Sequence, residues 1–306
     1  MRGAFLVAGF ACCAAGAAAE EIHSPFGDWD RAGASVLMTE SKAIEAANLI
    51  RRGRVIPIGR SYSADIPLGD NQSFSFTGTG AEVRRTEGQV FYEGQVSGTL
   101  DQVGTRLNGL GHIRAAGATG RFYNGLQEAD VVGENGLSDL GIEHVKPFFT
   151  RGIMIDMVTH RGGPMEAGQV ITVADIEGAL EWHGIKEPGR GDAVVFHTGW
   201  GRHWLSDAQT YLAGTPGLGP EAAAWLIERG VALVGSDTWS IEMQPVDGAH
   251  AFPLQLEFLQ KNGIFIHENL ETERLIDAEI AEFAFIFAPL KIIGATGSPG
   301  EPLAVY

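Results

Sequence analysis

Residues 102 to 112, Gln-Val-Gly-Thr-Arg-Leu-Asn-Gly-Leu-Gly-His, gather two amides, a guanidinium and an imidazole in one short stretch. Each side chain brings a definite chemistry. The His112 imidazole titrates near neutral pH and suits a general base. The planar, permanently charged Arg106 fork suits a carboxylate. Even spacing puts Gln102, Arg106 and Asn108 on one face if the segment is an extended strand. The plain alternative is a polar face turned to solvent.

A second group lies far downstream in Phe252-Pro-Leu-Gln255 and His267-Glu-Asn-Leu270. Glu268 falls in an apolar, strand-like run, where a charge is costly unless paired, and Arg106 is its natural partner. Gln255 adds an amide that can hold substrate or water. Asp237 and Glu242, in Ser236-Asp-Thr-Trp-Ser-Ile-Glu242, are either groups supporting the site or caps of a turn. Trp200, Trp204 and Trp239 either line an aromatic pocket or fill a core. His267 points to the opposite strand face from Glu268, and His250 sits in a Gly/Ala/Pro loop, so both read as surface positions.

Other routes close. The sequence has no G-x-S-x-G elbow, no phosphate-binding P-loop, no H-E-x-x-H zinc helix and no G-x-G-x-x-G after a strand. Its cysteines are Cys12 and Cys13, both near the N-terminus. Chemistry in the remainder must use imidazole, carboxylate, hydroxyl or a hard metal.

Taken together, these segments resemble the cyclase family of metal-dependent hydrolases, which includes bacterial kynurenine formamidases. The family pattern H-x-G-T-H-x-D-x-x-x-H matches residues 102 to 112 in length, in Gly104-Thr105 and in His112. The likeness runs on through Phe26-Gly-Asp-Trp-Asp30, Arg51-Arg-Gly-Arg54, Phe122-Tyr-Asn-Gly125, His197-Thr-Gly-Trp200, Pro216-Gly217, Asp237-Thr-Trp239 and the tail from Gly294 to Gly300. The resemblance implies an α/β domain with a mixed sheet in the swivelling β/β/α arrangement, a homodimer or homotetramer, and zinc or manganese held in part by His112 and Glu268. It further implies hydrolysis of an amide, formamide or lactone bond in a small cyclic or aromatic substrate. His112 would then be the base and Glu268 a second catalytic group, with Gln102, Arg106, Asn108, Gln255, Asp237 and Trp239 on the substrate.

The departures matter as much. Against the pattern, Gln102 and Arg106 replace histidines, Asn108 replaces an aspartate, and Gln255 stands where a later histidine belongs. Neutral amides are poor ligands, and a guanidinium has no lone pair to give a cation. The reading from these residues is therefore that Arg106 stands in for the metal's charge. They also admit a second class of function: a metal-free descendant that binds a small anion without catalysis.

Length, 306 residues, and a formal charge of −16 fit a globular chain that would repel nucleic acid. Arg2, the apolar run from Ala4 to Ala15 and Ala17-Ala-Ala19 before Glu20 have the order of a cleaved export leader over residues 1 to 19, which predicts a periplasmic or secreted domain from 20 to 306. No other segment has the length to span a bilayer.

The elements that must position these groups have their own local signals. Helical spacing predicts a helix over Thr39 to Arg52 with Gly53 after it, and a capping box at Thr172 to Asp175 opens a helix ending before Gly184. Pro220 opens another as far as Arg229. Strands are expected at Gly152 to Val158, Ala193 to Thr198, Val231 to Gly235, Ile264 to Ile266 and Glu282 to Ile293. Val55 to Val132, with pieces such as Gln89 to Val96, reads as β-rich and loop-rich without a firm helix.

Overall fold

In a computed structural model, residues 22–78, 83–245 and 252–306 are described. The leader expectation and His250 lie outside them. Among the described residues no helix is long and apolar enough to cross a membrane.

The centre is a nine-stranded mixed sheet. Its strands are β1 (Val55–Pro57), β2 (Arg106–Asn108), β3 (Phe148–Asp156), β4 (Ala193–His197), β5 (Leu233–Ser236), β6 (Phe265–Glu268), β7 (Glu282–Phe287), β8 (Gly297–Pro299) and β9 (Leu303–Val305). Their order across the sheet is β1-β9-β7-β3-β4-β5-β6-β2-β8. The middle strands β3 to β6 run parallel, and the outer ones are antiparallel. Parallel strands need long crossovers, and helices supply them. The mixed α/β sheet expected from sequence is what the chain forms.

Helix α1 (Glu40–Ala47) starts where Thr39 accepts the Lys42 N–H, but it stops at Ala47, short of the expected Arg52. It packs on β3 and β7 through Ala46, against Ala284 and Val305. Helix α2 (Met157–Arg161) takes over the end of the strand expected to reach Val158, because the Asp156 carboxylate caps it at Thr159. Helix α3 (Val173–His183) has the expected capping box, and Gly184 closes it at φ 64°, a left-handed backbone that suits glycine. Helix α4 (Ala208–Ala213) precedes α5 (Pro220–Glu228), which opens on Pro220 as the sequence predicts. The last crossover, Pro253–Gln255 continuing into a π-turn at Leu256–Lys261, leads into β6.

Two strand expectations run too far. β7 ends at Phe287, and Gln89 to Val96 is divided between two ribbons, Phe74–Thr77 with Gln95–Gly98 and Val83–Thr86 with Gln89–Tyr92. The first ribbon is rooted in the molecule where Phe74 meets Tyr62, ring centroids 5.5 Å apart.

Register decides which side chains share a face. On the adjacent strands β6 and β2, Glu268 lies opposite Arg106, His267 opposite Leu107 and Ile266 opposite Asn108. Strand alternation turns Glu268, Arg106 and Asn108 to one face and His267 with Leu107 to the other. That other face is core, not surface, so the surface expectation for His267 is corrected. The sheet is covered on this side, and the ring is fully buried against Phe285 and Phe287, its centroid 4.5 Å from that of Phe287.

Neither His267 nitrogen has a hydrogen-bond partner. Burial, aided by the positive charge of Arg106, drops its pKa to about 3. The unfolded chain takes up this proton near the ordinary value, so it binds more protons than the fold between the two, and stability falls as pH drops through that window. His267→Leu should therefore shift the acid unfolding midpoint, followed by circular dichroism, to lower pH. It should also raise stability at mildly acidic pH by about 1–3 kcal/mol, the cost of an unpaired buried polar group.

Candidate active site

The site lies beyond the carboxyl ends of β4, β5 and β6, the edge where open parallel sheets place ligands. There the chain leaves β6 at Glu268 into Asn269, leaves β5 into Asp237 to Trp239, and enters β2 at Arg106.

The central contact is between Arg106 Nη2 and Glu268 Oε2 at 2.6 Å. Asn108 Nδ2 donates to the same oxygen at 3.1 Å, and the Ile241 N–H adds a further bond. Glu268 and Asn108 are fully buried. Arg106 Nη2 also reaches the Trp239 carbonyl at 3.3 Å, which ties β2 to the loop after β5. Burial pushes the Glu268 carboxyl upward against the opposing pull of Arg106, Asn108 and Ile241.

The turn before β2 is knitted to its neighbours. Gly104 has φ +61°, and a Cβ there would meet the Tyr62 ring at 2.5 Å. The Tyr62 hydroxyl donates to the Val103 and Thr105 carbonyls. Asn269, itself left-handed at φ 58°, donates to the Gly104 carbonyl at 2.6 Å and accepts the Tyr211 hydroxyl at 2.7 Å. Gly104 and Thr105 thus serve as scaffold.

Above this floor opens a cavity of about 770 Å³. Arg106, His112, Gln102, Gln255, Trp204 and Trp239 line it, so six of the residues singled out from sequence share one space. Trp204, Tyr211 and Phe252 complete an aromatic wall, and the loop from Pro67 to Gln72 forms the other side. The His112 ring makes no hydrogen bond with the described residues. Burial lowers its pKa to about 4, with Arg106 adding to the drop and Asp101 opposing it. The imidazole is therefore neutral and available as a proton acceptor at neutral pH.

Several expectations need correction. Glu268 and Asn108 are not among the residues that line the cavity; Glu268 contacts Arg106 and accepts from Asn108 behind it. Gln102 lies in a bend before β2, not on the strand, so strand parity does not account for its place; its amide donates to Thr296 Oγ1 at 3.0 Å. Asp237 is not among the residues that line the cavity. Its carboxylate accepts from the Thr198 hydroxyl at 2.6 Å and from the Thr198 and Gly201 N–H groups, binding the end of β4 to the end of β5. Trp200 is buried with its indole N–H on the Tyr211 carbonyl, in the aromatic cluster beneath the wall.

Glu242 occupies a different niche. Its Oε2 accepts the Leu254 N–H at 2.6 Å and it also accepts the Gln255 N–H, while Oε1 is buried without a partner. Burial, reinforced by the charge of Glu268, raises its pKa to about 7.

The residues missed by sequence reasoning are Tyr211, Asn269, Phe252, Gln72 and the loop around Leu68. Asn269 and Phe252 stood in the segments that carried the resemblance. Tyr211 and the loop carry no local signal, because only the tertiary fold brings them to the site.

The donor set does not fit zinc or manganese. The family's ligand positions offer Gln102, Arg106, Asn108 and Gln255, and the surviving carboxylate, Glu268, is engaged by a guanidinium at 2.6 Å. A fixed positive charge there repels a divalent ion, and amides do little to offset its desolvation. Among the described residues no group of three or more His, Cys, Asp or Glu has the arrangement to hold a metal. Of the expected ligand pair, His112 lines the cavity and Glu268 does not.

Comparison with known proteins agrees with this architecture. A family model described as "Putative cyclase" matches residues 35–243. A kynurenine formamidase of Bordetella pertussis is 30% identical over 99 residues, which are 31% of this chain and 39% of that enzyme. The match thus spans less than half of the curated relative's length. A solved structure described as a novel cyclase superposes with a TM-score of 0.82 at 29% identity, covering 92% of this chain and 98% of its own. Isatin hydrolase A from Ralstonia solanacearum gives 0.62 at 22% identity over 88% of this chain and 98% of its own, a likeness of fold.

The buried groups generate two expected outcomes. Arg106→Ala should cost about 3–5 kcal/mol in denaturant unfolding by stranding the Glu268 carboxylate, and Arg106→Ala with Glu268→Ala should cost clearly less than the two single changes added together. Because the folded Glu242 keeps its proton to about pH 7 while the unfolded chain releases it near the ordinary value, Glu242 makes stability fall as pH rises through that interval. Glu242→Gln should flatten that slope in unfolding curves measured across it.

Proposed function

The chain belongs to the Cyclase family, and on that premise we propose that it hydrolyses an amide, formamide or lactone bond of a small, uncharged, cyclic or aromatic substrate. One observation carries the reading: a neutral imidazole and a guanidinium held fast from behind open together onto an aromatic-walled cavity.

These groups divide the chemistry among them. A planar ring lies against Trp239, Trp204 and Phe252, whose faces bind it with little loss of side-chain freedom. Water attacks the carbonyl carbon as His112 takes the water proton. The carbonyl oxygen gains negative charge facing Arg106, whose position Glu268 and Asn108 fix before the reaction begins, so that little reorganisation is needed. Collapse of the tetrahedral adduct breaks the C–N or C–O bond, and the departing nitrogen or oxygen takes the proton back from the imidazolium. Gln102 and Gln255 orient substrate and water. No step passes through a metal, because the donor set does not accommodate one.

The relatives named kynurenine formamidase and isatin hydrolase support the bond class and the ring-shaped substrate, each in its own protein. The leader-like N-terminus supports action in the periplasm or outside the cell, and the family resemblance supports a homodimer or homotetramer. The anion-binding alternative draws on Arg106, but Glu268 matches that charge at 2.6 Å, which favours catalysis on neutral molecules.

The test is a panel of aryl formamides, aromatic lactones and cyclic amides, assayed before and after exhaustive chelation. We expect turnover of one class, unchanged by chelation. The acid limb of kcat/KM should fall near pH 4, following His112. His112→Ala should lower kcat by about 100-fold or more with KM within a few-fold, the size of a lost general base. No turnover across the panel, or activity that chelation abolishes, would overturn the reading.

A further inference from the structure

Among the described residues, the guanidinium on the cavity is already answered by a buried carboxylate. Arg106 is matched by Glu268 at 2.6 Å. The N–H groups of Leu254 and Gln255, where the chain turns into its last crossover beside the cavity, are taken by Glu242. Polar side chains on the wall have donors engaged as well, one each: Gln72 on the Gln102 carbonyl at 2.8 Å, Gln102 on Thr296 at 3.0 Å, Asn269 on the Gly104 carbonyl at 2.6 Å and the Trp239 indole on the Gly214 carbonyl at 3.1 Å. Among the described residues, the remaining charged group on the lining is Asp70, an exposed carboxylate. A carboxylate entering this space would lose its hydration and find, among the described residues, no unmatched positive charge in return.

We propose that Glu268 sets the charge selectivity of the cavity: by neutralising Arg106 from behind, it makes this a site for uncharged planar rings and turns away their carboxylate counterparts. Arg106, which lines the cavity, can still donate to a neutral carbonyl, a bond that needs no net charge. Hydrolysis of a lactone or cyclic amide creates a carboxylate, so the same balance that admits substrate weakens the hold on product. This deepens the hydrolase reading, but the selectivity itself is a property of binding.

Nitrobenzene and benzoate test it. They are planar, isoelectronic and nearly the same shape, differ in charge, and are not hydrolysed, so the result does not depend on turnover. By calorimetric titration at neutral pH, the wild-type chain should bind nitrobenzene about tenfold or more tightly than benzoate, a discrimination set by the unmatched charge. Glu268→Gln keeps an oxygen for Arg106 but removes the negative charge, and should reverse the order by strengthening benzoate binding. Arg106→Gln with Glu268→Gln, which restores neutrality and serves if the single variant does not fold, should again prefer nitrobenzene. Equal or tighter binding of benzoate by the wild type, a neutral double variant that prefers benzoate, or no binding of either probe would overturn the proposal. A chain that turns over nothing on the hydrolysis panel yet shows this selectivity would lose the catalytic reading and keep this one.

Discussion

One contact organises the site: a guanidinium and a carboxylate facing each other across two adjacent antiparallel strands, with both charges removed from bulk water. Register makes it unavoidable, because Arg106 and Glu268 are opposite partners in the β2–β6 ladder. Buried ion pairs are retained when geometry and extra hydrogen bonds offset desolvation; here Asn108 and the Trp239 carbonyl supply such bonds, while Glu268 Oε1 and Arg106 Nε are buried without a partner. The pair fixes where β2 sits, what the floor of the cavity offers, and why a metal does not belong there.

Around that pair the fold uses polar groups as stitching. Asp237 ties the ends of β4 and β5, Asn269 joins the turn at Gly104 to Tyr211, and Glu242 closes the backbone at Leu254. These groups look like catalytic candidates in a sequence, since Asp, Asn and Glu clustered after strands are what an active site also needs. The structure separates the two uses by where each lone pair goes. Those of Asp237 go to protein N–H and O–H groups, whereas the imidazole of His112 opens on the cavity.

Much of this was legible in the order of residues, and the reasons differ from element to element. The capping box at Thr172 and the proline at Pro220 act within one turn, so short-range rules located α3 and α5. The Arg106 and Glu268 partnership was readable because unpaired charge in an apolar run demands an answer. His267 was misread because alternation says only that it faces away from Glu268; it does not say that the far face is buried beneath Phe285 and Phe287. The place of Gln102 was misjudged because Gly104, at φ +61°, breaks the strand before it. Tyr211 and the Pro67 to Gln72 loop reach the cavity by tertiary packing, for which no periodicity exists.

The hydrogen bond from Asn108 to Glu268 joins residues 160 positions apart. Local helices such as α3 can form early, but the β2–β6 ladder waits for the ends of a long loop to meet, and contacts of large sequence separation slow folding. Until then Glu268 is an ordinary hydrated carboxylate and Arg106 an ordinary hydrated cation, each at ease in water. Their burial thus follows the closure of that loop. A chain caught before that stage would carry most of its secondary structure and have no cavity floor, so recovery of function on refolding would trail recovery of helix.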